Sequence, residues 1–201
     1  MAFAGVVPAA GASRRMGANK AQLLIGGETF LMRVVRALLE GTCDPVYVVV
    51  ARGDRGSARI ARDAGAEVLE NPDPGEGPIT SLRIALAEVD ESREGIVYLP
   101  LDHPLVGAGT VAALLAAAAA TAAPLTIPVF DGKRGHPAIF RRTLFGELTD
   151  PALEGGARTV VHRHLEAANL VSMVDRAVVT DIDTPDAYAA AIEHFAASIR
   201  P

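Results

Sequence analysis

The chain has 201 residues, of which half are hydrophobic and only 4% aromatic, and its formal net charge is −5. A chain of this length can bury one sizeable core, so we predict a single domain over residues 1–201. The acidic balance and the lack of a basic run in the sequence argue against a nucleic-acid partner. The only cysteine, Cys43, gives no disulfide framework and no thiolate-rich metal site, as is typical of a reducing compartment.

Two apolar segments of the sequence bear on the cellular location of the protein. The first apolar run is interrupted early by a glycine turn, unlike the apolar core of a signal peptide. The alanine tract over residues 112–123 is short, weakly apolar and stopped by Pro124, which favours a helix in a soluble protein over a membrane span. We therefore expect a cytoplasmic protein with no membrane partner.

Short apolar runs alternate with helical segments along most of the chain. This order predicts an α/β fold, a Rossmann-like three-layer α/β/α arrangement around a mostly parallel sheet with right-handed crossovers. The predicted strands cover residues 3–8, 46–51, 66–69, 96–101 and 125–129. The predicted helices cover residues 29–41, 57–64, 79–89 and 108–122.

The pattern changes after Val129. Asp131-Gly132 lies between two apolar runs and predicts a β-hairpin, an antiparallel excursion over residues 130–140 in the C-terminal third. Short helices follow in the prediction, then a strand over residues 170–174. Thr184 and Pro185 are typical of a helix start and open the last predicted helix.

Ligands of open α/β sheets bind beyond the carboxyl ends of the strands, and a glycine-rich segment follows the first strand here. Its small residues would let the backbone approach an anion. Its cationic residues, Arg14, Arg15 and Lys20, would add positive charge. The segment is neither a Walker A loop nor a G-x-G-x-x-G dinucleotide motif. Composition alone leaves a phosphate loop and a solvated surface turn both open.

The full pattern from Ala9 to Lys20, A-A-G-x-S-x-R-M-G-x-x-K, resembles the signature of the MobA-like nucleotidyltransferases. These are the molybdenum cofactor guanylyl- and cytidylyltransferases, with a fold like that of the nucleotide-diphospho-sugar transferases. The resemblance implies that the loop wraps the donor's triphosphate and that Arg15 and Lys20 act catalytically by neutralising phosphate charge. The implied nucleotide contacts in the loop are Ala9, Ala10, Gly11, Ala12, Ser13, Arg14, Arg15, Gly17 and Lys20. Pro8 stands where the family usually has leucine, which stiffens the strand end without removing a charge.

Two aspartates are candidate ligands of Mg²⁺, a cation that prefers one or two carboxylates together with substrate phosphates. Asp102 ends a predicted buried strand, and by resemblance it belongs to a metal-binding D-x-P-L segment; alone it would also suit a turn. Asp183 lies in a D-I-D-T-P segment that resembles the cytidylyltransferase branch, and it either completes the metal site or serves as a helix-entry residue. His103 receives no role.

Further candidates come from two other segments. The stretch containing Asn71, Gly77 and Ser81 matches the region where relatives contact base and ribose, although a helix-start hydroxyl would also explain Ser81. His136 lies in a Gly-His-Pro element that resembles one of the cytidylyltransferase branch, which implies a place near the acceptor substrate; an ordinary hairpin histidine is the alternative.

These residues predict a Mg²⁺-dependent nucleotidyltransferase that moves a nucleoside monophosphate to a phosphorylated small-molecule acceptor and releases pyrophosphate. The Ala-Ala-Gly, Gly-His-Pro and Asp-Ile-Asp-Thr-Pro segments favour CTP as donor, whereas Gly77-Pro78 looks more like the guanylyl branch. Molybdopterin is the acceptor, and a molybdoenzyme a client, by resemblance alone. The alternatives are a guanylyltransferase, a sugar-phosphate or methylerythritol-phosphate nucleotidyltransferase, a non-catalytic nucleotide-binding chaperone, and an NAD(P)H-dependent oxidoreductase.

Overall fold

The first strand of the chain lies inside the main sheet, with a parallel neighbour on each side. The computed structural model describes residues 2–11 and 16–198, without the side chains of residues 194 and 196–198. The strands in chain order are β1 Phe3–Pro8, β2 Leu24–Ile25, β3 Glu28–Thr29, β4 Val46–Ala51, β5 Glu67–Asn71, β6 Gly95–Tyr98, β7 Leu125–Phe130, β8 Lys133–Arg134, β9 Ala138–Arg141 and β10 Asn169–Ser172. The helices are α1 Phe30–Glu40, α2 Arg55–Asp63, α3 Pro78–Glu88, α4 Ala108–Ala119, α5 Phe145–Thr149, α6 Ala157–Arg163 and α7 Pro185–Ser198.

The main sheet has the order β10-β7-β9-β6-β1-β4-β5, with β8 beside β7. Its strands run parallel except at β8 and β9, which pair antiparallel with their neighbours. Each face of the sheet carries its own apolar cluster. Helices α1, α2, α4 and α7 cover one face, and α3, α5 and α6 cover the other. This arrangement confirms the predicted three-layer α/β/α fold with a mostly parallel sheet.

The first helix begins and ends where its sequence predicts. Thr29 accepts a hydrogen bond from the backbone N–H of Met32 at 3.2 Å, which satisfies a donor left unpaired at the helix start. Gly41 caps the other end. The apolar face of α1 includes Leu31 and Leu38, both fully buried against the sheet.

The antiparallel excursion confirms the hairpin signal and shows where it leads. Asp131 and Gly132 both have positive φ, at 49° and 73°, and their tight turn joins β7 to β8. The chain then returns as β9, which enters the main sheet between β6 and β7. The excursion is thus part of the sheet, not an appendage to it.

Several predicted boundaries are wrong. Strand β6 ends at Tyr98 instead of residue 101, because Pro100 has no N–H and its carbonyl accepts from His103 to close a turn. Helix α2 begins at Arg55, earlier than predicted, because the Asp54 carboxylate accepts from the N–H of Ser57 at 3.0 Å.

The remaining differences lie at ends of elements and in one short hairpin. Strand β5 extends to Asn71, α4 ends at Ala119, and β10 covers Asn169–Ser172 instead of residues 170–174. The β2–β3 hairpin was not predicted, since its strands have only two residues each. Within the described residues, no helix combines the length and the apolar character needed to cross a membrane.

We predict that Gly95→Ala destabilises the fold. A Cβ at this position would lie 2.2 Å from the carbonyl oxygen of Phe140 and 2.9 Å from the Cα of Arg141, both in the neighbouring strand β9. Overpacking of this kind costs about 1–3 kcal/mol in the free energy of unfolding, measured by urea denaturation. The control is Gly109→Ala in α4, where a Cβ would meet no atom within 4 Å. Equal stability of the two variants would contradict the packing argument.

Candidate functional site

A cleft of about 1450 Å³ opens above the carboxyl ends of β1 and β6. Its walls come from the loop after β1, the start of α3, the β7–β8 hairpin, α6 and the segment before α7. Parallel strands on both sides of β1 end at the same edge, which is why residues far apart in sequence meet here.

The loop after β1 forms one wall of the cleft. Ala9 and Ala10 are buried, and the N–H of Ala9 donates to the carbonyl of Val49 at 2.8 Å, which fixes the start of the loop on the sheet. Gly11 lines the cleft, and no described atom lies within 4 Å of where its Cβ would be. Gly17 is exposed, with φ of +65°. The other predicted loop contacts, Ala12, Ser13, Arg14 and Arg15, lie outside the described residues.

Lys20 is brought into the cleft by an anchored turn. The side-chain oxygen of Asn19 accepts from the N–H of Ala21 at 3.1 Å, and its amide donates to Asp54 at 3.1 Å. The Lys20 ammonium forms an ion pair with the carboxylate of Asp183, and both side chains are largely buried. The structure therefore brings together two predicted site residues that are 163 positions apart.

Asp102 lies in the same part of the cleft. The N–H of Ile182 donates to its backbone carbonyl at 2.8 Å, which ties the segment containing Asp183 to the turn after β6. Burial raises the pKa of the Asp102 carboxyl, and the charge of Asp183 adds to this, while His103 and Lys20 act against it.

This pair of carboxylates fits a hard divalent cation. The Oδ1 atom of Asp102 is closed off from solvent, and no described group hydrogen-bonds to it; the Nε2 atom of His103 is 3.8 Å away. An enclosed, unpartnered carboxylate oxygen near a second carboxylate is the oxygen donor set that Mg²⁺ or Mn²⁺ takes, with substrate phosphates completing it. No cluster of three or more His, Cys, Asp or Glu suited to a metal occurs among the described residues.

Two histidines pack together in the cleft. The rings of His103 and His136 have centroids 4.8 Å apart, and the ring of Tyr98 lies 6.1 Å from that of His136. Burial and, to a smaller extent, the charge of the nearby His103 lower the pKa of His136 to about 3, although a hydrogen bond with the backbone of Tyr98 acts in the opposite direction. His136 is therefore neutral at physiological pH. His103, which had no role in the sequence-based prediction, belongs to the cleft as well.

The start of α3 forms another wall, and of the three residues predicted to contact base and ribose, Gly77 and Ser81 lie on the surface of the cleft. Gly77 has φ of +93° and precedes α3 without a side-chain cap, and Ser81 is buried but lines the cleft. Asn71 lies behind them: its amide donates to Thr80 at 2.8 Å and to Ser81 at 3.0 Å, and it is not among the lining residues. Asn71 thus positions the helix start.

Sequence reasoning missed a group of basic residues on the cleft. They are Arg83, Lys133, Arg134, Arg158 and His162. The only sequence signal was the Asp131-Gly132 turn, which predicts that the two residues after it are in a hairpin. It does not predict that this hairpin borders the cleft.

An open α/β sheet with a small-residue loop, a lysine and two acidic residues at its carboxyl edge defines a nucleotide-binding protein of the Rossmann-like class. Residues 5–168 match the family model of the MobA-like NTP transferase domain. The chain belongs to this family, and it is a nucleotidyltransferase, as the loop pattern predicts.

Relatives and solved structures agree with this assignment. The chain is 34% identical over 166 residues to a probable molybdenum cofactor guanylyltransferase of Mycolicibacterium paratuberculosis, covering 80% of this chain and 79% of that protein. It resembles the crystal structure of Rv0371c from Mycobacterium tuberculosis, with a TM-score of 0.79, 29% identity, and coverage of 96% of this chain and 98% of that one. Rv0371c has also been crystallised with manganese, in a structure with a TM-score of 0.77, 30% identity, and coverage of 96% and 99%.

We predict that His136 makes the stability of the protein depend on pH. Above its ordinary pKa of 6.5, His136 is neutral in the folded and the unfolded chain alike. Between pH 6.5 and about 3 the unfolded chain binds a proton that the folded chain excludes, so the free energy of unfolding decreases as the pH falls. The contribution is up to about 1.4 kcal/mol per pH unit.

The measurement is urea denaturation at several pH values between 7 and 5 for the wild type, His136→Asn and the control His162→Asn. His162 lies on the exposed side of α6. The decrease should be shallower in His136→Asn than in the other two proteins. The same pH slope in all three would show that His136 is not a buried neutral group.

Proposed function

We propose that the protein transfers a nucleoside monophosphate from a nucleoside triphosphate to the phosphate of a small-molecule acceptor. The observation that carries this proposal is the convergence of Lys20, Asp102 and Asp183 on one cleft beside the loop after β1. An oxygen of the acceptor phosphate attacks the α-phosphorus of the donor, the bond to the β-phosphate breaks, and pyrophosphate leaves. No covalent intermediate with the protein is needed.

In this proposal the protein positions anions and balances their charge. The backbone at Ala9, Ala10 and Gly11 borders the donor's phosphates, and the ammonium of Lys20, with the guanidinium of Arg15, offsets the negative charge that shifts onto pyrophosphate. Asp102 and Asp183 would hold a divalent cation, which would supply Lewis-acid chemistry to the transfer. We propose Mg²⁺ for this role, and the manganese complex of Rv0371c supports a divalent metal in a relative.

The names of the relatives guide our proposal for the nucleobase of the donor. Several of them are named probable molybdenum cofactor guanylyltransferases, so GTP is our first candidate, and the CTP preference expected from the motifs finds no support in these names. The Gly77-Pro78 element at the start of α3 agrees with GTP. CTP stays as the second candidate because the Gly-His-Pro element, which contains His136, resembles that of the cytidylyltransferase branch.

Molybdopterin is the proposed acceptor, because the names of the relatives specify the molybdenum cofactor. A molybdoenzyme that receives the finished cofactor, and a cytoplasmic location consistent with the single cysteine, belong to the same proposal. A sugar-phosphate or methylerythritol-phosphate acceptor would keep Lys20 and Asp102 but need other contacts elsewhere in the cleft. A non-catalytic chaperone or an NAD(P)H-dependent oxidoreductase would not need the paired carboxylates.

The first prediction from this proposal concerns ligand binding. We expect GTP with Mg²⁺ to raise the melting temperature of the protein by roughly 5–10 °C when the nucleotide is at one hundred times its Kd. If GTP does not bind, we expect the same shift with CTP. The shift should be smaller without Mg²⁺ and absent with NADPH. A thermal-shift panel of GTP, CTP, ATP, UTP and NADPH, each with and without Mg²⁺, measures it. Equal, metal-independent shifts for all ligands would refute a specific donor site.

The second prediction concerns Asp102. Asp102→Asn removes the charge that would hold the cation but keeps the size of the side chain, so we expect turnover to fall more than tenfold with the fold intact. Product formation is followed by pyrophosphate release with GTP or CTP and molybdopterin. The matched control is Asp63→Asn on the exposed surface of α2, which should keep normal turnover. Normal turnover in Asp102→Asn would remove this residue from the mechanism.

A further inference from the structure

The cleft carries a second set of positive charges, separate from Lys20. Lys133 and Arg134 form β8, and Arg158 belongs to α6; all three line the cleft. We refer to these three residues as the basic wall. They come from segments that follow β7 and α5, whereas the proposed triphosphate loop follows β1.

The backbone around Arg134 is fixed by close packing. Arg134 pairs with Val129 across the hairpin. At the next residue, a Cβ on Gly135 would lie 2.0 Å from the carbonyl oxygen of Val178, so this position has room only for glycine. The N–H of His136 donates to the same carbonyl at 2.7 Å. The backbone end of the Arg134 side chain is therefore held in place beside the cleft.

Helix α6 presents Arg158 from a second element. Arg158 and His162 are four residues apart on one helical face, and the Nε of Arg158 lies 3.5 Å from the Nε2 of His162. Val160 is fully buried in the apolar cluster and anchors the helix. Arg83, outside the basic wall, also lines the cleft, and its guanidinium donates to the carbonyls of Leu148 and Asp150.

The basic wall has no acidic partners in the described part of the chain. Within residues 2–11 and 16–198, none of its three side chains is in an ion pair, although Arg36, Arg93 and Arg141 each have at least one. This is notable in a chain with 24 acidic and 19 basic residues. Basic side chains that border a cleft without carboxylate partners offer a site for an anion, and guanidinium groups suit phosphate in particular.

We propose that Arg134 and Arg158, assisted by Lys133, bind the phosphomonoester group of the acceptor. This inference rests on the proposed function, which requires two phosphate-bearing ligands in one cleft. The donor's triphosphate has the loop after β1 and Lys20, so the basic wall serves the second anion. Positive charge there reduces the repulsion between the acceptor phosphate and the donor.

The test uses the whole chain and two double variants. Arg134→Ala/Arg158→Ala removes two charges from the basic wall, and Arg59→Ala/Arg62→Ala removes two from the exposed surface of α2, outside the cleft. The donor site is first saturated with the α,β-methylene analogue of GTP or CTP in the presence of Mg²⁺. Inorganic phosphate is then titrated as the probe, and binding is followed by calorimetry.

We expect the wild type and the α2 variant to bind phosphate equally, and the cleft variant to bind it roughly tenfold more weakly with unchanged affinity for the nucleotide analogue. In the transfer assay, the cleft variant should have a higher KM than the wild type for molybdopterin but the same KM for the nucleotide.

The possible failures are distinguishable. If the nucleotide analogue binds but phosphate binding is absent or independent of the two arginines, the inference is overturned and the proposed function stands. If no nucleotide binds while phosphate binding depends on the two arginines, the proposed function fails and the anion site is supported. A cleft variant that loses affinity for nucleotide and phosphate together would also overturn the assignment to the acceptor.

Discussion

The position of β1 between β4 and β6 is the constraint on which the rest of the structure depends. Both neighbours run parallel to it, so all three carboxyl ends reach one edge of the sheet, and the buried apolar faces of β1 leave no freedom to shift its register. The loop after β1 and the turn after β6 therefore emerge side by side. The cleft exists because of this parallel order, and its chemistry is supplied by the residues that follow each strand.

Charge balance then links the elements of the cleft. Asp102 and Asp183 repel each other, and burial of Asp102 makes its ionisation unfavourable, as its raised pKa shows. The ammonium of Lys20 compensates part of this cost by pairing with Asp183. A ligand that carries a divalent cation and phosphates would supply both kinds of partner at once, a cation for the carboxylates and anions for the lysine. Such a ligand would therefore reduce the electrostatic cost of holding the two carboxylates together.

Local signals in the sequence predicted the parts of the fold that depend on local interactions. The Thr29 cap, the Asp131-Gly132 turn and the alternation of strands and helices each have a short-range physical cause, and the structure agrees with them. The end of strand β6 and the start of helix α2 were predicted less well, because the turn at Pro100 and the cap at Asp54 act through single hydrogen bonds that periodicity does not reveal. The basic wall was missed for a different reason: it depends on β9 returning between β6 and β7, which is a long-range choice.

The same geometry bears on the donor base. Three segments favoured CTP: the Ala-Ala-Gly at the start of the proposed triphosphate loop, and the segments that contain His136 and Asp183. His136 packs against His103, and Asp183 pairs with Lys20, so both segments belong to the part of the cleft proposed for phosphates and metal. Gly77 and Ser81, proposed near the base, belong instead to the start of α3, where Asn71 holds the helix. Motifs in the part of the cleft proposed for phosphates and metal therefore carry little physical information about the base. Discrimination between GTP and CTP has to come from hydrogen-bonding groups near the start of α3, because a base is distinguished by its donors and acceptors and not by its phosphates.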